Sequence, residues 1–277
     1  MLGVRWPEWE LSSMTPTHRD NWGWRARIGM FIVGSEAVPE AEWWAMIPPD
    51  VSVHAARVNA PTPWAPWDEG HQNVTLSEDL LRGARQFAAM RLEAIVVGHS
   101  SSSIMGGPGW DDAVIARLAD MFPEDVAITT NGRDCVAALQ ASNVHRPFLV
   151  FPPWFGDPAL EAGRHYFAEH GFDVAGNKRY DPGRGWNNIP PSELYAHGAG
   201  FEQNVEALYS QIRSGCPDGA DGVLIAGTGF RCVGIIDALE SDLGRPVITA
   251  NQASLWHCLQ LAGVGFQVAG YGRLLNQ

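Results

Sequence analysis

The feature that most constrains the fold is an alternation, beginning at Arg27, of short apolar runs with longer stretches of helical periodicity. Short runs rich in β-branched residues, each followed by a helix, are typical of βα units that build a parallel sheet. The predicted strands are residues 28–33, 52–57, 94–97, 126–129, 148–151, 222–226 and 246–249. The chain is therefore predicted to be an α/β protein.

Amphipathic stretches between these runs are predicted to be helices. In the clearest of them, residues 77–90, Ser77 can cap the first turn, and Leu80, Ala84 and Phe87 fall on one face. The other predicted helices are residues 111–121, 132–141, 157–170, 193–214, 232–243 and 253–262. Strands in both halves of the chain end in small polar residues or glycine, a pattern that fits two stacked α/β lobes with a cleft between them.

Composition and spacing exclude several classes of protein. The 19 basic and 31 acidic residues give a net charge of −12, which repels nucleic acid and anionic membranes. No apolar stretch approaches the ~18 residues that span a bilayer, and the first 20 residues carry charges where a signal peptide would be apolar. The four cysteines and the scattered histidines lack metal-ligand spacing. We therefore expect no metal site, no nucleic-acid partner, no membrane association, and a cytoplasmic protein with reduced thiols.

A serine-rich tip follows the predicted strand at 94–97. It contains His99, four consecutive serines and three glycines. Hydroxyls and backbone N–H groups at the end of a strand suit a carboxylate or a developing oxyanion. His99 can give or take a proton there, since an unperturbed imidazole has a pKa of ~6.5. The alternative is an ordinary turn histidine, with serines that only cap the next helix.

A second tip, formed by Gly227, Thr228 and Gly229, follows the predicted strand at 222–226. Backbone N–H groups at the start of a helix bind anions, so this tip is a second candidate anion site. It is a poor dinucleotide fingerprint, because Cys232 stands in place of the third glycine. A tight turn without a ligand is the alternative.

Residues 98–102 can also be interpreted as a nucleophile elbow with Ser100 as the nucleophile, although Ser102 replaces its last glycine. A serine hydrolase also needs an acid and a late histidine, and Asp237 with His257 is the only attractive pair. His257 lies inside a predicted helix, which is an awkward place for a triad histidine.

The two tips, together with residues 244–263 and 270–274, resemble the aspartate/glutamate racemase superfamily, in the branch of arylmalonate decarboxylase and maleate cis-trans isomerase. The resemblance implies two pseudo-symmetric, flavodoxin-like parallel-sheet lobes with the active site in the cleft between them, and neither an organic cofactor nor a metal. The expected domains are a tryptophan-rich arm at 1–26, a first lobe at 27–141 plus 246–277, and a second lobe at 142–245.

The same resemblance implies a small-molecule carboxylate as the substrate. Its carboxylate-binding donors match Ser100, Ser101, Thr228 and Gly227 here, with Gly229 in the same turn. The carboxylate to be lost lies against apolar side chains, where desolvation favours the loss of CO2. The enediolate that remains then receives a proton.

The sequence departs from that family at both tips. The racemases and the isomerase use one cysteine at each tip, and the decarboxylase keeps the second, whereas this chain has His99 and Gly227 there. A tyrosine that helps to hold the carboxylate is replaced by Trp154. Cys135, Cys232 and Cys258 are expected to be buried in helices. Thiol chemistry is therefore not expected, and His99 becomes the expected proton donor.

We therefore expect a cofactor-independent lyase, with decarboxylation of a malonate-like acid as the leading reaction. The alternatives are an isomerase or racemase that uses His99 with an unidentified second base, a serine esterase that uses Ser100, and a non-catalytic binder of small acids. The sequence leaves the oligomeric state open, and a homo-oligomer is compatible with it.

Tryptophan content bears on the ligand. Of the 12 tryptophans, eight lie before residue 68: Trp6, Trp9, Trp22 and Trp24 in the arm, and Trp43, Trp44, Trp64 and Trp67 in the region that covers the substrate of the resembling enzymes. Trp186 lies with Arg184 in a long loop, residues 177–191, which could be a lid. These residues and Trp154 predict an aromatic-walled pocket for a bulky or aromatic acid. The alternative is that the arm packs its indoles on a surface or a subunit interface.

Overall fold

A computed structural model describes residues 22–276, which contain two parallel four-stranded sheets of the same topology. The first has the order β2-β1-β3-β4, with β1 at Ala26–Val33, β2 at Val51–Val58, β3 at Ala94–Val97 and β4 at Ala127–Thr130. The second has the order β6-β5-β7-β8, with β5 at Pro147–Phe151, β6 at Gly176–Arg179, β7 at Gly222–Ile225 and β8 at Val247–Thr249. All pairings are parallel. The predicted α/β architecture of two pseudo-symmetric lobes is confirmed.

Helices connect the strands and cover the sheets. They are α1 (Val38–Met46), α2 (Glu78–Ala88), α3 (Ser100–Gly106), α4 (Trp110–Ala119), α5 (Asn131–Ala141), α6 (Asp157–Glu169), α7 (Pro191–Leu194), α8 (Val205–Gly215), α9 (Ile236–Leu243) and α10 (Ala250–Leu261). The clearest predicted helix corresponds to α2, where the Ser77 hydroxyl accepts the Leu80 N–H and Leu80, Ala84 and Phe87 are buried. Within the described part of the chain, no helix is both long and apolar enough to cross a membrane.

Three elements were not predicted, because tertiary contacts stabilise them rather than local pattern. α3 is rich in serine, a weak helix former, but Ser102 and Ser103 bond outside the helix to the Trp64 N–H and to Asp111. β6 is polar and is held by backbone pairing with β5. α1 is a short helix that buries Trp43 and Met46 in the core.

One predicted helix and one lobe boundary differ from the structure. The helix predicted at 193–214 is interrupted, since α7 ends at Leu194 and α8 begins only at Val205, with Gly198 at a φ of 96° between them. Residues 246–277 were assigned to the first lobe, but β8 pairs with β7 at the edge of the second sheet. α10 then crosses to the first lobe, where Ser254 donates to Asp134 of α5.

The predicted N-terminal arm lies mostly outside the described residues. Trp6 and Trp9 belong to that part of the chain, and Trp22 and Trp24, which are described, are largely exposed.

Candidate active site

The tips that follow β3 and β7 meet between the two lobes. The Gly227 N–H donates to Ser100 Oγ at 3.2 Å, and the Thr228 hydroxyl lies 3.2 Å from the Gly98 carbonyl oxygen. Parallel sheets present ligand-binding residues at the carboxyl ends of their strands. The fold therefore brings together two segments that are more than 120 residues apart in the chain.

A cavity of about 210 Å³ opens at this junction. Seven predicted site residues line it: His99, Ser100, Ser101, Trp154, Gly227, Thr228 and Gly229. Four further residues complete the wall: Val33, Glu36, Phe155 and Tyr195. A wider apolar groove of about 500 Å³ beside α1 is lined by none of the predicted site residues.

His99 lies at the start of α3 and stacks on the buried Trp64 ring, with 4.2 Å between ring centroids. Its Nδ1 is 2.7 Å from Ser102 Oγ, which also accepts the Trp64 N–H. A hydroxyl that accepts this N–H can donate its own proton to Nδ1, which leaves the ring proton on Nε2. Burial lowers the pKa of His99 to about 3, so the ring is neutral at pH 7.

The two predicted serines have different hydrogen-bonding states. The Ser100 hydroxyl donates to Asn131 Oδ1 at 2.5 Å and accepts the Gly227 N–H, so that its proton is already used. Asn131 in turn donates to Ser254 of α10. Ser100 thus connects the two tips to α5 directly and to α10 through Asn131. Among the described residues the Ser101 hydroxyl has no protein partner, and it remains available to a ligand.

Glu36 follows β1 and was not singled out from the sequence. Its side chain is 6% exposed, and its nearest polar partner is the Thr228 hydroxyl, 3.4 Å from Oε2. Burial raises the pKa of Glu36 to about 7, and the bond to Thr228 only partly opposes this. No sequence signal marks Glu36, because an acidic residue before a helix is commonplace.

Tyr195 comes from the end of α7 and was also missed. Its hydroxyl is buried and has no hydrogen-bond partner in the described part of the chain. The ring packs edge-on against Trp154, with centroids 4.9 Å apart. Burial raises the pKa of Tyr195, so the phenol stays protonated and can donate. Tyr195 therefore adds a hydrogen-bond donor beside Trp154 in the cavity wall.

Three predicted tryptophans do not line this cavity. Trp43 is 2% exposed and belongs to the core, whereas Trp44, the next residue around α1, points outward and is 46% exposed. Trp186 lies half-buried in a short 3-10 turn, beside an exposed Arg184. The aromatic part of the wall consists instead of Trp154, Phe155 and Tyr195.

The groups of a serine hydrolase are not assembled. Asp237 accepts the Gly272 N–H, and His257 pairs with Asp134 at 2.7 Å, while Ser100 bonds to Asn131. The Asp237–His257 pair considered from the sequence does not form, because the two residues lie on different helices with other partners. The triad of Ser100, Asp237 and His257 considered from the sequence is therefore wrong.

No cysteine lines the cavity within residues 22–276. Cys135, Cys232 and Cys258 are buried, as predicted, although Cys232 precedes a 3-10 turn at Val233–Ile235 and does not lie in a helix. Burial raises the pKa of each thiol well above its ordinary value. Within the same range, no cluster of three or more His, Cys, Asp or Glu side chains is placed to hold a metal ion.

The sequence model of the arylmalonate decarboxylase family matches residues 67–275. The chain belongs to the arylmalonate decarboxylase family. Arylmalonate decarboxylase of Bordetella bronchiseptica is 37% identical to this chain over 62 residues. The aligned segment covers 22% of this chain and 25% of the length of that protein. Membership in this family supports the assignment of the chain as an enzyme.

Solved structures show the same fold. The maleate isomerase Iso of Pseudomonas putida S16 has a TM-score of 0.72 and 19% identity, covering 91% of this chain and 98% of that one. Unliganded arylmalonate decarboxylase has a TM-score of 0.68 and 21% identity, covering 90% and 98%. At 19% and 21% identity, the structural similarity supports the two-lobed fold alone.

Proposed function

We propose that this protein is a cofactor-independent lyase that removes CO2 from a bulky or aromatic malonate-type acid. The observation that carries the proposal is one cavity in which unpartnered hydrogen-bond donors face an aromatic and apolar wall. Membership in the arylmalonate decarboxylase family supports the same reaction class. The cavity and the family membership both favour a small-molecule carboxylate as the substrate.

The retained carboxylate would bind to donors that the protein itself leaves unused. Tyr195, Ser101, Thr228 and Gly229, which line the cavity, would supply these donors through the two hydroxyls and the two backbone N–H groups. Donors held by the fold stabilise a developing enediolate without reorganisation, because they already point at the site where charge grows. Ser100 would act as a positioning residue, since its own proton is bonded to Asn131.

The departing carboxylate would lie against Val33, Trp154 and Phe155. An apolar wall disfavours a carboxylate more than neutral CO2, so loss of the carboxylate relieves the cost of desolvation. His99 was expected to supply the proton as an imidazolium. Its neutral ring cannot do so at pH 7, and we propose that its Nε2–H instead donates a hydrogen bond to the enediolate.

An isomerase or racemase is the second candidate, because two titratable side chains, His99 and Glu36, line the same cavity. One could remove a proton from the α-carbon of a carboxylic acid while the other returns it. This reaction exchanges the α-proton with solvent without releasing CO2.

Incubation with phenylmalonate and methylphenylmalonate in D2O, followed by NMR and CO2 measurement, tests the proposal. We expect a monocarboxylic acid that carries one solvent deuteron at the α-carbon, and equimolar CO2. In a separate incubation with 2-phenylpropionate, deuterium exchange at its α-carbon, together with no CO2 from either malonate, would favour the isomerase. Binding of these acids with neither reaction would leave a non-catalytic binder, and stoichiometric fluorophosphonate labelling of Ser100 would support the esterase.

A further inference from the structure

We infer that Glu36 is the acid that transfers the proton in this cavity, and that it replaces the cysteine of the second tip. The inference rests on the proposed function for its substrate class. It concerns a side chain that sequence reasoning overlooked.

The position of Glu36 is specified by the second tip itself. A Cβ atom at Gly229 would collide with Oε1 of Glu36, so the carboxyl group lies directly against the backbone of that turn. The resembling decarboxylase keeps its cysteine at the position of Gly227, two residues earlier in the same turn. Glu36 therefore brings a proton-carrying group from the turn after β1 to the second tip.

The hydrogen bonds around Glu36 do little to hold its carboxyl group ionised. The Thr228 hydroxyl has a single proton, yet it lies 3.2 Å from the Gly98 carbonyl oxygen and 3.4 Å from Glu36 Oε2. Because that proton lies nearer the Gly98 oxygen, Thr228 is only a weak donor to a Glu36 carboxylate, and burial outweighs its effect on the pKa. The pKa of about 7 that burial gives this carboxyl group places an acid and its conjugate base together near neutral pH.

The charged neighbours of Glu36 do not neutralise it. Arg57 of β2 binds the backbone carbonyl oxygen of Glu36 at 2.7 Å and forms its ion pair with Glu40 of α1. The remaining titratable groups on the wall are His99 and Tyr195, both uncharged at pH 7. Among the described residues Glu36 has no salt-bridge partner.

Decarboxylation precedes proton transfer in the proposed reaction. The bond between the α-carbon and one carboxylate breaks, CO2 leaves, and the electron pair remains on the substrate as an enediolate. The O–H bond of Glu36 then breaks, its proton forms the new C–H bond, and the Glu36 carboxylate regains a proton from water. The cycle needs no oxidant, reductant or second substrate.

The test compares Glu36→Gln with the wild type and with Glu124→Gln, an exposed residue before β4 at the opposite edge of the sheet. We expect Glu36→Gln to lower kcat on phenylmalonate by about 10²-fold, with KM within threefold, as for other acid–base residues. The wild-type kcat/KM should fall as pH rises through about 7, because the acid form of the free enzyme is lost. Glu124→Gln should match the wild type.

A second measurement separates this inference from decarboxylation. Phenylacetate brings a carboxylate beside Glu36, which raises the pKa of Glu36 and causes proton uptake. Titration calorimetry at pH 7.5 in two buffers of different ionisation enthalpy should detect this uptake in the wild type and Glu124→Gln, and not in Glu36→Gln. Absence of wild-type uptake, or an unchanged kcat in Glu36→Gln, overturns the role of Glu36. Glu36-dependent uptake without CO2 release supports that role and rejects decarboxylation.

Discussion

Replacement of Tyr195 by phenylalanine should make the free protein more stable and the ligand complex weaker. The Tyr195 hydroxyl is buried at the cavity wall with no partner in the described part of the chain. Such a group costs stability in the free protein and yields a hydrogen bond only when a ligand arrives. The variant removes one oxygen atom and leaves the ring against Trp154.

The magnitude follows from the environment of the hydroxyl. An unsatisfied buried polar group costs about 1–3 kcal/mol, and the lower end applies here because a cavity of about 210 Å³ has room for water. We expect Tyr195→Phe to raise Tm by about 2–4 °C. A hydrogen bond to a carboxylate contributes about 1.5–3 kcal/mol, so Kd for phenylacetate should rise by about 10- to 100-fold.

Thermal unfolding and titration calorimetry measure both effects, and Tyr180→Phe is the matched control. The Tyr180 hydroxyl donates to the Asn204 carbonyl oxygen at 3.0 Å and lies outside the cavity wall. Its removal should lower Tm and leave Kd unchanged. A Tyr195→Phe protein that is less stable, or that binds phenylacetate as well as the wild type, would refute the reasoning.

Three further predictions concern the same wall. Burial raises the pKa of Glu36 from 4.5 to about 7, so the stability it contributes when protonated is present below pH ~4.5 and is lost as pH rises to about 7. Urea unfolding should therefore show Glu36→Gln gaining up to about 3 kcal/mol relative to the wild type across that window, and a constant difference would contradict the shift. Gly229→Ala should displace the Glu36 carboxyl group from the turn and lower kcat about as much as Glu36→Gln does. The added methyl group should also lower the free energy of unfolding by about 1–3 kcal/mol. Unchanged kinetics would show that the position of the carboxyl group does not matter. His99→Gln should lower kcat about 10²-fold through loss of one donor to the enediolate, because the neutral ring acts as a hydrogen-bond donor. Turnover within threefold of the wild type would remove His99 from the mechanism.

The candidate site was only partly predictable from the sequence. His99, Ser101 and Thr228 could be placed at strand tips because parallel strands present their carboxyl ends at one edge of a sheet. The tryptophans were harder to place, because adjacent residues on α1 differ by about 100° around the helix axis. Trp43 consequently packs in the core, while Trp44 points to solvent.

Hydrophobic periodicity by itself determined the α/β class, because short buried runs followed by amphipathic helices have few other stable arrangements. The two-lobed arrangement was implied by the family resemblance and by the similar strand tips in the two halves of the chain. Only the tertiary structure decided what surrounds each side chain. Glu36 and Tyr195 come from a turn after β1 and from the end of α7, and no local pattern reveals that both reach the cavity where His99 lies. The physical reason is that protonation and hydrogen-bond satisfaction depend on burial and on partners distant in the chain, and these exist only once the two lobes are packed together.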